Sequence, residues 1–104
     1  MARKPQTGPA SDPEFLILSS LASGPSHGYA IMTDIETFAD VKLGPGTLYT
    51  AIGRLVDKKL IAPQAGEGRQ RPYALTPQGV ARLAELLNGM QRVVAVGLSR
   101  LRVA

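Results

Sequence analysis

Cysteine and tryptophan are both missing from this 104-residue chain, and histidine occurs once. Without thiols there can be no disulfide and no thiolate metal site, which fits a reducing, cytoplasmic address. The single histidine, His27, has no cysteine to activate, and no pair of carboxylates stands at a telling spacing. It reads as a packing or backbone-bonding residue at a helix start, not a general base. AGEGRQR, residues 65–71, lacks the Gly-Lys-Ser/Thr ending of a phosphate-binding Walker loop. No catalytic residue, metal ligand or cofactor is therefore expected. Long apolar runs are missing too: nothing approaches the roughly 18 residues that would signal a membrane span. The opening stretch MARKPQTGPASDPE has no apolar core and does not read as a signal peptide.

What is present is a basic chain, of net charge +4 and pI about 9.9, whose charges are sorted along its length. Residues 12–40 hold five acids (Asp12, Glu14, Asp34, Glu36, Asp40) and no Lys or Arg. Residues 41–71 hold six bases (Lys42, Arg54, Lys58, Lys59, Arg69, Arg71) against Asp57 and Glu67. Such sorting suits one face made to meet a polyanion. Chance patterning of a solvated surface is the plainer alternative, and charge by itself does not choose.

Periodicity supplies the architecture. Residues 1–11 read as a flexible arm bearing Arg3 and Lys4. Ser11 or Asp12 can cap a first helix with Pro13 at its first position, and Phe15, Leu18, Leu21 and Ala22 share a face. Gly24-Pro25 ends it. Ser26 can cap a second helix whose buried stripe is Ile31, Ile35 and Phe38, with Thr33, Asp34, Glu36 and Thr37 on the wet side. Asp40 to Leu43 form a short connection. In the third helix Leu48, Ile52, Leu55 and Val56 face inward, ending near Lys59.

Residues 60–64 and 71–75 predict two short strands joined by a turn-rich loop, with Pro63 and Pro72 marking edge strands of a hairpin. Thr76-Pro77 is a cap plus first-turn proline opening a last helix to about Arg102. In it Val80, Leu83, Leu87, Met90, Val94, Gly97 and Leu101 recur in steps of three and four, a heptad pattern widened by Leu86 and Val93. So much apolar surface exceeds what the rest of the chain can cover, so part of the seam is expected to meet a second copy. Leu83, Leu87, Met90, Val94 and Leu101 are the candidate dimerisation residues. Gly89 and Gly97 each cost about 1 kcal/mol relative to Ala in a helix and call for a close approach or a kink. The alternative is a helix that folds back entirely on its own domain.

The order helix–helix–helix–hairpin–helix is that of a winged helix-turn-helix, in which the third helix reads the major groove. This accounts for Gly44-Pro45-Gly46 at the mouth of that helix. A helix start exposes unpaired N–H groups and positive dipole. Gly44 caps without bulk, Pro45 presets the backbone, and Gly46 leaves room for sugar-phosphate. Thr47, Thr50, Arg54, Asp57 and Lys58 share the outward face, flanked by Tyr49. The hydroxyls suit phosphates or base edges, and Arg54 suits guanine or a phosphate. Tyr49 as a core tyrosine, and Arg54 paired with Asp57 or Asp40, are the competing readings. In the wing, Arg69 and Arg71 flank a tip made tight by Gly66 and Gly68. The DNA-contacting set is thus Lys42, Gly46, Thr47, Tyr49, Thr50, Arg54, Lys58, Arg69 and Arg71.

LILSSLASGPSHGYAIMTDI, LGPGTLYTAIGRLVDKKLI and RPYALTPQGVARL resemble successive blocks of the PadR family of transcriptional regulators, from about Phe15 to Leu87. The resemblance implies a homodimer joined mainly through the C-terminal helix, DNA binding by the helix holding Pro45 to Tyr49, and release by a small ligand in some members. His27, Gly28 and Tyr29 match the start of the family's second helix. Gly44 stands where the family often has Ser, removing a capping hydroxyl, and the lack of tryptophan argues against a tryptophan-lined drug pocket. The expected fold is mainly α with a small β-hairpin: an arm (1–11), a winged helix-turn-helix domain (12–76) and a dimerisation helix (77–104). The expected function is regulation, most simply repression, at a pseudo-palindromic operator in double-stranded DNA. A winged-helix module that binds protein instead of DNA is the alternative.

Overall fold

A computed structural model of the chain describes residues 9–65 and 71–103. After one 3-10 turn, Pro9–Ser11, come α1 (Pro13–Leu21), α2 (Gly28–Ala39), α3 (Pro45–Asp57), β1 (Ile61–Pro63), β2 (Tyr73–Leu75) and α4 (Pro77–Val103). The winged helix-turn-helix order expected from the sequence is the order observed. The arm's Arg3 and Lys4, and the wing tip with Gly66, Glu67, Gly68 and Arg69, lie outside the described residues.

α1 starts where Asp12 accepts a hydrogen bond from the Phe15 amide (3.1 Å), with Pro13 in the first turn. It is the centre of the core and not an amphipathic surface helix. Leu16 and Ile17 are buried along with Phe15, Leu18 and Leu21, because α2, α3 and α4 all pack on it. A helix covered on several sides has no single apolar stripe to detect. Ala22, read as part of that stripe, is exposed beyond the last turn. Ser20 is buried too, and its hydroxyl donates to Asp34 Oδ2 on α2 (2.7 Å), so the wet-side Asp34 has an inward partner.

Two expectations for α2 are corrected. His27, not Ser26, occupies the N-cap, with no side-chain cap bond; its carbonyl accepts from the Ile31 amide and its side chain is exposed. Ser26 is instead used by the wing, exchanging both backbone bonds with Tyr73 (3.0 and 2.9 Å). Phe38 is 50% exposed, while Ile31 and Ile35 are fully buried. The inward face tracks Met32 and Ala39 instead. The connection after α2 also contributes: Val41 and Leu43 are buried and Lys42 is exposed, an extended alternation that anchors the approach to α3.

β1 and β2 are antiparallel, pairing Ile61 with Leu75, Ala62 with Ala74 and Pro63 with Tyr73. Both backbone polar groups of Tyr73 turn away from β1 toward Ser26. Pro63 therefore sits opposite a residue that asks nothing of its missing N–H. α4 is capped as expected, the Thr76 hydroxyl accepting from the Gly79 amide (3.0 Å) and donating to the Lys59 carbonyl (2.7 Å).

α4 has two different halves. Leu83 is buried in the chain's own core (5% exposed), with Leu86 and Met90 packed beside it. Leu83, expected on the seam, is therefore spent within its own domain, because α1 lies against the first turns of α4. Beyond Met90, Val93, Val94, Val96, Leu98 and Leu101 are exposed, with Ala10 of the 3-10 turn lining a groove beside Val93 and Val94; Val80 and Leu87, nearer the start of the helix, are exposed as well. The radius of gyration, 15.4 Å, exceeds the roughly 13 Å of a compact chain this long because this half projects.

Candidate nucleic-acid interface

α3 is held by Leu48, Ala51, Ile52 and Leu55, all buried against α1 and α2. That packing fixes which side looks outward. Thr47, Thr50 and Arg54 are exposed on it, three and four residues apart, a single stripe of a 3.6-residue helix. Gly44 caps in extended conformation, with no side-chain cap bond, and Pro45 follows at the first helical position. A β-carbon on Gly44 or Gly46 would meet no atom of the described residues within 4 Å. Packing among the described residues therefore gives no reason for either glycine.

The outward stripe does not stand alone. The start of α1 lies beside it, so that Asp12, Pro13 and Glu14 form one wall of a groove of about 460 Å³ and Gly46, Thr47, Thr50 and Arg54 the other. The two acids were legible only as the opening of α1; nothing in the sequence places them against α3. Among the described residues Arg54 has no ion-pair partner, so the competing pairings with Asp57 or Asp40 are not formed. Lys58 differs: its Nζ lies 2.6 Å from Glu14 Oε1. Lys58, expected to contact DNA, is paired with a carboxylate of α1 in the single chain.

Tyr49 is 53% exposed and lies against the first residue of α2, Gly28, so it is not a buried core tyrosine. Lys42 and Arg71 are both exposed, Lys42 on the approach to α3 and Arg71 just before β2. Arg69 lies outside the described residues, so Arg71 alone represents the wing's cations. Among the described residues no three His, Asp or Glu side chains gather as a metal site, and no helix is long and apolar enough to cross a membrane.

Residues 17–85 match the family described as the Transcriptional regulator PadR-like family. A transcriptional regulator from Clostridium thermocellum superposes with a TM-score of 0.71 at 30% identity, over 81% of this chain and 84% of that one. A PadR family transcription regulator from Clostridium difficile gives 0.70 at 28% identity, over 86% and 96%. An uncharacterized 37.1 kDa protein in transposon Tn4556 of Streptomyces fradiae is 46% identical over 83 residues, covering 80% of this chain. The matched region spans 24% of that protein, about a quarter of its length.

Proposed function

The chain belongs to the PadR-like family of transcriptional regulators, and from that premise we propose that it represses transcription by binding a pseudo-palindromic operator in double-stranded DNA as a homodimer. One observation supports the reading: α3 offers an exposed polar stripe, Thr47, Thr50 and Arg54, along a groove walled by the start of α1, behind a first turn with open space at Gly44 and Gly46. Phosphate oxygens would be taken by that turn and by Lys42, Tyr49 and Arg71. Base edges fall to Arg54 and the two threonines. Residues 12–76 would act as the reading domain.

Residues 77–104 would join the two chains, through Leu87, Met90, Val94 and Leu101. A mostly apolar groove of about 500 Å³ between Ala10 and α4, lined by Leu86, Gly89, Met90, Val93 and Val94 together with Glu85, is where we seat the second α4. A helix laid there would give Gly89 the close neighbour it lacks within one chain. For half-sites one turn apart, the two α3 helices must stand roughly 34–36 Å from each other. A small-molecule effector would act by favouring a pairing with a different spacing, since a ligand shifts only an equilibrium between states it binds unequally. The family is one of regulators and not of enzymes, and we assign no cofactor and a cytoplasmic setting.

Electrophoretic mobility of duplex DNA at two salt concentrations tests the reading. Retardation that weakens steeply with salt is expected. No retardation even at low salt would leave the protein-binding module as the better account.

A further inference from the structure

We propose that Glu14 is a negative element of the DNA interface, holding Lys58 by an ion pair and so withholding one cation from DNA phosphates; this rests on the DNA-binding reading above. Lys58 follows Arg54 by four residues, as the C-cap of α3. Yet the two cations differ in state. Arg54 lines the groove without an ion pair, whereas the Lys58 ammonium lies 2.6 Å from a carboxylate 44 residues away in sequence.

That carboxylate is well anchored. Glu14 is only 22% exposed and sits in the first turn of α1, where Asp12 caps the helix and the dipole favours negative charge. The lysine end is 56% exposed, so the pair is screened by salt and its hold is strongest at low ionic strength. Asp12 is already engaged with the Phe15 amide, which leaves Glu14 as the acid that handles the cation. Binding to DNA of arbitrary sequence is driven almost wholly by phosphate neutralisation. Tying up one lysine therefore weakens such binding by one contact. The pair serves as a brake on phosphate affinity, built from α1 into the reading face.

The full chain, its Glu14→Gln variant, Lys58→Gln and the double variant are titrated with a fluorescent random-sequence duplex between about 50 and 200 mM salt. Far-UV circular dichroism checks that each folds, and Glu14→Ala serves as a second route to the same release. Freeing Lys58 should steepen the plot of log K against log salt by about 0.9 per bound chain, and tighten low-salt binding about three- to tenfold. Lys58→Gln alone should not steepen the slope, since it removes the cation and leaves Glu14 unpaired, and the double variant should return to the parental slope. An unchanged slope in Glu14→Gln would overturn the proposal. So would a double variant that keeps the gain, because simple repulsion of phosphate by Glu14 would then be the cause. In either case Arg54→Ala should still weaken binding, leaving the DNA-binding reading intact. Failure of the parent chain to bind any duplex would overturn both together.

Discussion

The ring of Tyr49 lies over the α-carbon of Gly28, where a β-carbon would stand 2.8 Å from the tyrosine Cζ. The helix that offers the reading stripe is thus seated directly on the first turn of α2, and the glycine is a condition of that seat. Gly28→Ala forces the ring to swing, which a half-exposed side chain can do. The expected result is a small loss of stability, below about 1.5 kcal/mol, as for modest overpacking, with a larger relative loss of DNA affinity. Thermal melts and binding titrations on the same samples check this. A melting loss with unchanged affinity would remove Tyr49 from the DNA-contacting set.

Gly79 provides the contrasting case. A β-carbon there would overlap the Leu60 carbonyl, a backbone group that cannot step aside. That carbonyl also accepts from the Thr76 amide (3.1 Å). Gly79→Ala should therefore cost about 2–4 kcal/mol, at the upper end of single-site effects. Chemical denaturation should show a much larger drop in midpoint than for Gly28→Ala.

Arg54→Ala should weaken operator binding by about 1–3 kcal/mol and relax discrimination at one base position. Competition against operators varied one position at a time reads both effects. Uniform weakening across all sequences would reassign Arg54 to a phosphate.

The two halves of α4 should respond differently. Leu83→Ala opens a cavity in the core and should cost about 2–5 kcal/mol, seen as a lowered melting temperature. Leu101→Glu, at a position 75% exposed in the single chain, should leave the domain's own packing alone and convert dimer to monomer in sedimentation. Leu87→Glu should do the same. A dimer that persists in both would place the interface elsewhere.

The sequence by itself determined the order of elements, the cap at Thr76, a cap at Ser11 or Asp12 that the structure resolved to Asp12, the inward stripe of α3 and its outward threonines and arginine. These depend on spacings within one helix or one turn, where i, i+3 and i+4 neighbours are fixed by helical geometry. Only the tertiary structure decided which charges are free. Glu14 meets Lys58, Ser20 meets Asp34 and Ser26 bonds to Tyr73 across 44, 14 and 47 intervening steps of chain, separations that no local period encodes. The structure also broke a uniform heptad, burying Leu83 in the chain's own core while Val80, Leu87, Val94 and Leu101 stay exposed. Burial depends on what else arrives at a surface, and that is a property of the packed chain.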